Sequence, residues 1–386
     1  MADAVKKLAI VGASARAAAF SALRAGYEVV AADMFADADL QRAASVARID
    51  DYPGGLIEWL ERCECDAWLY TGALEIYPNQ IALMWALQPL LGNDGDALRR
   101  VRDPLELQRA AASAGLSFPE TRAAAAGLPG DGSWLCKTYR GASGSGVWAL
   151  DGPTAMERAV RERAVFQQRR EGASAAAVFV CGEHGATLLG VTSQLVGVLG
   201  AGPWQYAGSI GPIECSSAIR GQLAVLGEML VEQFHLRGLA GVDLVMAGDR
   251  AWIVEVNPRY SASVEVLERT TGVSAIAAHL SACQAVDEAR GGDLAKLTAS
   301  QRTSSPVHGK SILFAPRDAR VSTEFFQWAM DQSGLDDATL ADIPHAGEMI
   351  LAGRPVLTVF AAAESADGCR EQLFRRLAEV QSRLYE

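Results

Sequence analysis

Long hydrophobic runs are missing from this 386-residue chain. The apolar stretch at 8–11 falls far short of the about 18–20 uncharged residues that a bilayer-spanning helix needs, and it is also too short for a signal-peptide core. No membrane partner is expected, and the expected location is the cytoplasm. Histidine is scarce, with five residues dispersed along the chain and no HExxH or comparable cluster, so the usual histidine-based metal site is not indicated. The seven cysteines, at 63, 65, 136, 181, 215, 283 and 369, are odd in number and lack paired spacing. Cys63-x-Cys65 has neither a second pair nor a histidine beside it, so reduced thiols are expected rather than a disulfide framework or a zinc site. Positive charge is in the minority, 35 Lys and Arg against 46 Asp and Glu, and no basic run with interleaved aromatics stands out. Nucleic acid is therefore excluded as the expected partner.

Two nucleotide motifs are lacking as well. No glycine loop ends in Gly-Lys-Ser/Thr, so there is no P-loop. The first strand closes on Gly12-Ala-Ser14-Ala-Arg16-Ala17 rather than G-x-G-x-x-G, with Ser14 standing where a second glycine would let the backbone approach a pyrophosphate. Asp33 lies 21 residues beyond Gly12. A nicotinamide oxidoreductase built on Gly12 and Asp33 is thus a minor alternative.

What the chain does have is a large apolar share, 50% of residues, and a length that suits two or three domains of roughly 100–200 residues. A strand at 7–11, an alanine-rich helix at 16–25 and a strand at 27–32 form a β-turn-helix-β unit of the open parallel kind, the start of a Rossmann-like half domain. A strand at 66–71 and a helix at 79–90 follow. Beyond Asp103 come a helix at 104–114, a strand at 133–138 and a glycine-rich segment at 141–146. Strands are expected at 163–168, 176–181, 186–191, 240–246 and 251–257, with a helix at 217–235. This middle block reads as α+β on antiparallel strands. A helix at 273–290 and a Gly/Ser/Thr-rich stretch at 291–305 lead to a last block with strands at 310–315, 348–351 and 356–361 and a closing helix from 364. The expected domains are 1–98, 99–300 with a lid at about 104–165, and 301–386.

The strongest constellation is Asp243 with Glu255-Val-Asn257-Pro258-Arg259. Two strands joined at Ala-Gly-Asp-Arg read as a hairpin, and the two-residue side-chain period puts Glu255 and Asn257 on one face. Oxygen ligands on one face suit a hard cation such as magnesium, and manganese is the substitute. Parity attaches a condition. A strict two-residue turn at Gly248-Asp249 would send Asp243 to the other face, so a three- or five-residue connection or a bulge is required for all three to meet. A solvated surface hairpin is the alternative, weakened by the apolar neighbours Ile253, Val254 and Val256, among which an idle carboxylate would be costly. The second constellation places Lys137 on a strand just before Gly141, Ser143, Gly144, Ser145 and Gly146, a positive charge followed by accessible backbone N–H groups that could hold phosphate. A mere flexible turn is the competing interpretation.

Together these pieces resemble the ATP-grasp superfamily over nearly the whole chain. The look is nearest to predicted ATP-dependent carboligases distantly related to biotin carboxylase, through Gly12-Ala-Ser-Ala-Arg16, Asp33-Met-Phe-Ala-Asp37-Ala-Asp39-Leu, Leu91-Gly-Asn93 and Asp342-Ile-Pro344 with Gly347. Some of that group are linked to tetrahydromethanopterin-dependent one-carbon metabolism. The resemblance implies an ATP-grasp fold: a Rossmann-like preATP-grasp domain, an antiparallel ATP-grasp domain and a small C-terminal domain. It implies ATP as cosubstrate, Lys137 on its phosphates under the 141–146 loop, and Asp243, Glu255 and Asn257 as metal ligands with Arg259 beside them. Phe166, Gln167, Gln168 and Arg169 fall at the hinge that cradles adenine. Where many relatives bind ribose through a glutamate, Ser174 stands here, with Glu171 three residues earlier as its substitute. The lysine that relatives often carry after an aspartate is replaced by Pro104.

The implied activity is an ADP-forming carboxylate–amine ligase acting through an acylphosphate, with Lys137 and Arg259 as catalytic residues. Small-molecule acid and amine substrates are expected between the N-terminal domain and the hairpin, near Ser14, Arg16, Asp33, Glu75, Tyr206 and Ser209, and Arg16 is the candidate to pair with a substrate carboxylate. A homodimer is the expected assembly. A nucleotide-binding sensor without turnover is the rival that the altered hinge would favour.

Overall fold

The computed structural model describes residues 5–198, 200–284 and 306–386. The end of the expected 273–290 helix and the 291–305 stretch lie outside those residues.

The N-terminal part is a four-stranded parallel sheet, ordered Ser45–Arg48, Glu28–Asp33, Lys7–Val11, Ala67–Tyr70. Its central strands are apolar on both faces because helices cover both, as parallel sheets require. The strand order reverses between Lys7–Val11 and Ala67–Tyr70, and a crevice opens at such a switch point, beyond the strands' carboxyl ends. The loops leaving these two strands, at 12–15 and 71–75, stand at that crevice. They approach so closely that a Cβ on Gly12 would lie 2.0 Å from Thr71 Oγ1 and 3.1 Å from the Thr71 carbonyl carbon, which is why the first loop starts with glycine.

A second, eight-stranded sheet forms the body. Its order runs Arg250–Asn257, Gly238–Ala247, Ala173–Cys181, Ala186–Val196, Tyr206–Gly211, Val307–Phe314, Pro355–Ala363, Leu340–Ala341. All its pairings are antiparallel. The sheet runs on across position 300/301, where a domain boundary was expected, because Val307–Phe314 pairs directly with Tyr206–Gly211. The helices Ala262–Thr271 and Ala275–Gln284 bind this sheet to the N-terminal one through a shared core that includes Leu8, Ile10, Val178, Leu239 and Val264.

A small antiparallel sheet, ordered Thr121–Arg122, Val165–Gln168, Trp134–Lys137, Val147–Ala149, stands apart with its own core of Trp134, Cys136, Leu150 and Phe166. Its tip rests on the body at Gly144, whose φ of +79° and absent Cβ let it pass the Trp204 carbonyl, where a methyl would stand 1.8 Å from the oxygen. Among the described residues, no helix is long and apolar enough to cross a membrane.

Candidate functional site

The three parts enclose a cavity of about 950 Å³. The hairpin forms its floor, the small sheet its roof, and the loops after the two central parallel strands close one end.

The hairpin meets the parity condition through a bulge rather than a longer turn. Ala247 pairs with Arg250, so the turn is the strict two-residue one at Gly248-Asp249, with Gly248 at φ +57°. A bulge then restores the phase. Leu244 pairs with Ile253 but Asp243 pairs with Glu255, leaving Val254 as the extra residue. Asp243, Glu255, Gly241 and Asn257 consequently share a face.

Burial pushes the Asp243 carboxyl up to about 7, aided by the facing Glu255 charge. Gln194 restrains it by donating to Asp243 Oδ1 at 2.7 Å. Burial also works against Glu255, but Arg102 and Lys137 outweigh it and hold that carboxyl below its ordinary range. Asn257 Nδ2 donates to Asp243 Oδ2 at 3.1 Å and to Glu255 Oε1 at 3.3 Å. Two facing carboxylates, half-buried in the cavity with the Asn257 amide between them, offer a place for a cation. Their hard oxygens fit magnesium, which keeps several waters and takes phosphate oxygens besides one or two carboxylates. Among the described residues, no three His, Cys, Asp or Glu side chains converge on such a space. As placed, Asn257 does not complete the set, since its Oδ1 accepts from Arg259 Nη2 at 3.3 Å and Arg102 Nη1 at 3.4 Å. It can join the carboxylates as a ligand only with its amide turned.

Lys137 lies in the same cavity, its ammonium pK pulled down by burial against the upward pull of Glu255 and Asp243. Gly141, Ser143, Gly144 and Ser145 line the cavity, whereas Gly146 does not but turns the loop at φ +76°. Gln167, Gln168, Arg169, Glu171 and Ser174 all face the space. Gln167 is buried and donates to Thr121 Oγ1 at 3.3 Å, which spends one amide hydrogen on the small sheet. The next residues carry the chain into the large sheet, where the Arg169 guanidinium sits 5.4 Å from the Trp204 ring and Arg170 3.9 Å from Trp252.

The expected substrate residues divide. Ser14 and Tyr206 line the cavity, with Tyr206 Oη 2.9 Å from Ser209 Oγ. Ser209 is fully buried behind it and reaches Ser263 Oγ at 3.1 Å. Asp33 is also fully buried, its carboxylate accepting from the backbone N–H groups of Ala15, Phe35 and Ala36, so it shapes the loop rather than meeting a ligand. Arg16 reaches the cavity wall but is already paired with Glu265 and, at 2.7 Å, with Asp342. Glu75 lies behind Arg259, its Oε1 2.8 Å from both Nε and Nη2. Its Oε2 is buried without a partner, as is the Tyr52 hydroxyl.

Three cavity residues had no sequence signal. Arg102 follows a helix as an ordinary surface-type arginine, Gln194 depends on which strand neighbours the hairpin's sheet, and Lys310 comes from the last third of the chain.

Residues 101–263 match the family model of the ATP-grasp domain. No curated protein matches the chain by sequence. Among solved structures, the carboxyaminoimidazole ribonucleotide synthase of Aspergillus clavatus in complex with ATP shares 13% identity over 98% of this chain and 99% of its own, with a TM-score of 0.71. The L-amino acid ligase of Bacillus licheniformis shares 16% over 97% of both chains with a TM-score of 0.68. The biotin carboxylase of Campylobacter jejuni shares 11% over 96% of this chain and 90% of its own with a TM-score of 0.69. At such identities the likeness carries the fold, and it agrees with the resemblance of the motifs.

Proposed function

We propose, from the premise that residues 101–263 are an ATP-grasp domain in a chain of that fold, that this protein is an ADP-forming carboxylate–amine ligase. The observation that carries the proposal is the Asp243–Glu255 pair, brought face to face by the Val254 bulge in the cavity that also holds Lys137 and the 141–145 loop.

In the proposed reaction a substrate carboxylate oxygen attacks the γ-phosphorus of ATP, the bond to the β-phosphate oxygen breaks, and ADP leaves. An amine nitrogen then attacks the acyl carbon, phosphate departs, and the nitrogen loses a proton to give an amide. Phosphoryl transfer asks chiefly for positioning and charge neutralisation. Magnesium or manganese held by Asp243 and Glu255 would supply part of that neutralisation. Lys137 adds a cation beside the phosphates, the glycine loop offers backbone N–H groups, and the small sheet above excludes the water that would hydrolyse an acylphosphate. Arg259 lines the same cavity beside Asn257, its guanidinium oriented by Glu75. A place in one-carbon cofactor synthesis rests on the resemblance of the motifs at 12–16, 33–40, 91–93 and 342–347 alone.

ADP release, followed by a coupled assay against paired carboxylic acids and amines, is expected only when both members of a pair are present. Release that ignores the amine would overturn the proposal, and ATP binding without release for every pair would overturn it in favour of the sensor. Two variants sharpen it. Lys137→Met is expected to lower kcat/KM for ATP about 10²-fold, the scale for losing one preorganised group that stabilises developing charge. Glu75→Gln should reduce kcat about 10- to 100-fold, as supporting contacts do when removed, while KM for ATP moves little, because Glu75 acts by holding Arg259 and lines none of the nucleotide wall.

A further inference from the structure

Where the N-terminal sheet meets the C-terminal strands, one carboxylate in the cavity has no partner. Asp37 is 7% exposed and lines the space, yet among the described residues its carboxylate accepts no hydrogen bond and joins no ion pair within 4 Å, while its backbone carbonyl accepts from the Gln41 N–H at 3.0 Å. It occupies the N-cap of the short helix Ala38–Ala43, where an aspartate ordinarily accepts from a backbone N–H two or three residues on, and here it makes no such bond. Its backbone role therefore does not explain its burial.

The other charges nearby are spent. Asp33 is satisfied by three backbone N–H groups. Asp39 accepts from the backbone of Asp342 and Ile343, each at 3.1 Å. Arg16 gives its Nε to Asp342 and its terminal nitrogens to Glu265 and Asp342, while Lys310 donates to Glu265 at 2.9 Å. Burial and the charges of Asp342, Asp39 and Asp33 push the Asp37 carboxyl well above its ordinary range. A buried carboxylate without a counter-charge is costly, and the cost is offset if the counter-charge arrives with a ligand. The same census bears on what that ligand is. An anion would find Asp33, Asp39 and Asp342 around Asp37 and an arginine already shared between Asp342 and Glu265, whereas an ammonium brings three donors and a positive charge. Ser14 is exposed to the same cavity, and Phe35, also exposed, gives an apolar wall beside the charge.

Building on the ligase reading, we propose that Asp37 binds the nitrogen of the amine co-substrate in its ammonium form, which gives up one proton before it attacks the acyl carbon and a second as the amide forms, making this end of the cavity an ammonium subsite. Arg16, the earlier candidate for a substrate carboxylate, then belongs to the subsite's frame.

Binding, not turnover, tests this. Isothermal titration of the full chain in the presence of MgADP would compare n-butylamine, benzylamine and 1,4-diaminobutane with 1-butanol, benzyl alcohol and 1,4-butanediol. At least one amine is expected to bind tenfold or more tightly than its alcohol counterpart, and Asp37→Asn is expected to erase that preference with MgADP affinity unchanged within about twofold. Should Asp37→Asn lose MgADP binding, Asp37→Ser replaces it, since serine can cap the helix without carrying charge. Amines that bind no better than the alcohols, or an amine preference that survives the loss of the Asp37 charge, would overturn the subsite. Acid- and amine-dependent ADP release by the wild-type protein is read separately, so the ligase reading can stand when the subsite fails.

Discussion

Replacing Glu255 by Gln is expected to lower ADP release about 10²- to 10³-fold without unfolding the protein. The substitution keeps shape and removes one charge, so any loss of activity reports the charge. That charge is present at neutral pH, because Arg102 and Lys137 hold the Glu255 carboxyl low despite its burial. It is also the group that pairs with Asp243 across the bulge. A carboxyl held low in the folded state lends stability at neutral pH, so removing its charge is expected to lower the thermal midpoint somewhat even without magnesium. With magnesium and ADP the gap widens. A ligand that binds only the folded state stabilises it in proportion to its affinity, and a site with one carboxylate less gains less. Thermal midpoints of both proteins, with and without MgADP, together with the ADP assay, check the two halves. Full activity in Glu255→Gln would remove the metal assignment.

Arg16→Met is expected to destabilise the protein by about 3–5 kcal/mol, the range for removing one partner of a buried ion pair. Arg16 is 2% exposed, and its guanidinium joins three stretches of chain: its own helix, Glu265 on Ala262–Thr271 and Asp342 just after the strand Leu340–Ala341. Methionine fills much of the volume but leaves Glu265 with Lys310 alone and Asp342 with no cation within 4 Å among the described residues. The effect should depend on pH in a set direction. Burial raises the Glu265 carboxyl, but Arg16 and Lys310 overcome it and hold it well below the usual 4.5. A carboxyl lower in the folded than in the unfolded state stabilises above the unfolded pK, and that contribution fades as pH falls toward the folded one. The gap between variant and wild type, measured by chemical denaturation, should therefore be full at neutral pH and narrow below about 4.5. A constant gap would assign the loss to packing.

Most elements were legible because their signals are local. The apolar runs at 7–11 and 66–71 mark strands covered on both faces, and 104–114 carries its own start signal, since Asp103 accepts from the N–H groups of Leu105 and Glu106 with Pro104 in the first turn. Several strands went unread, among them the two- and three-residue strands Thr121–Arg122, Val147–Ala149, Ala319–Arg320 and Leu340–Ala341, which are too short to carry a pattern. Ser45–Arg48 is a four-residue edge, and Tyr206–Gly211 contains Gly208 and Gly211, so neither propensity nor alternation marks it. Its order comes from its neighbours, with Ser193–Val196 on one side and His308–Ser311 on the other.

The site divides along the same line. Lys137, the glycine loop and the Glu255-x-Asn257 spacing are fixed by the sequence, because a strand's two-residue period and a glycine's freedom act within a few residues. The union of Asp243 with Glu255 was left open, since a bulge turns on how neighbouring strands pack and no local residue demands it at Val254. Arg16 shows the reverse case: an arginine at a helix start looked free to meet a substrate, and only the fold supplied Glu265 and Asp342, 249 and 326 residues away in sequence, to occupy it. The tertiary structure also left Asp37 without a partner. The sequence by itself determined which chemical groups the hairpin, the lysine strand and the glycine loop could offer. Which of them meet, and which charges are already satisfied, was decided by contacts too distant in the chain for any local pattern to encode.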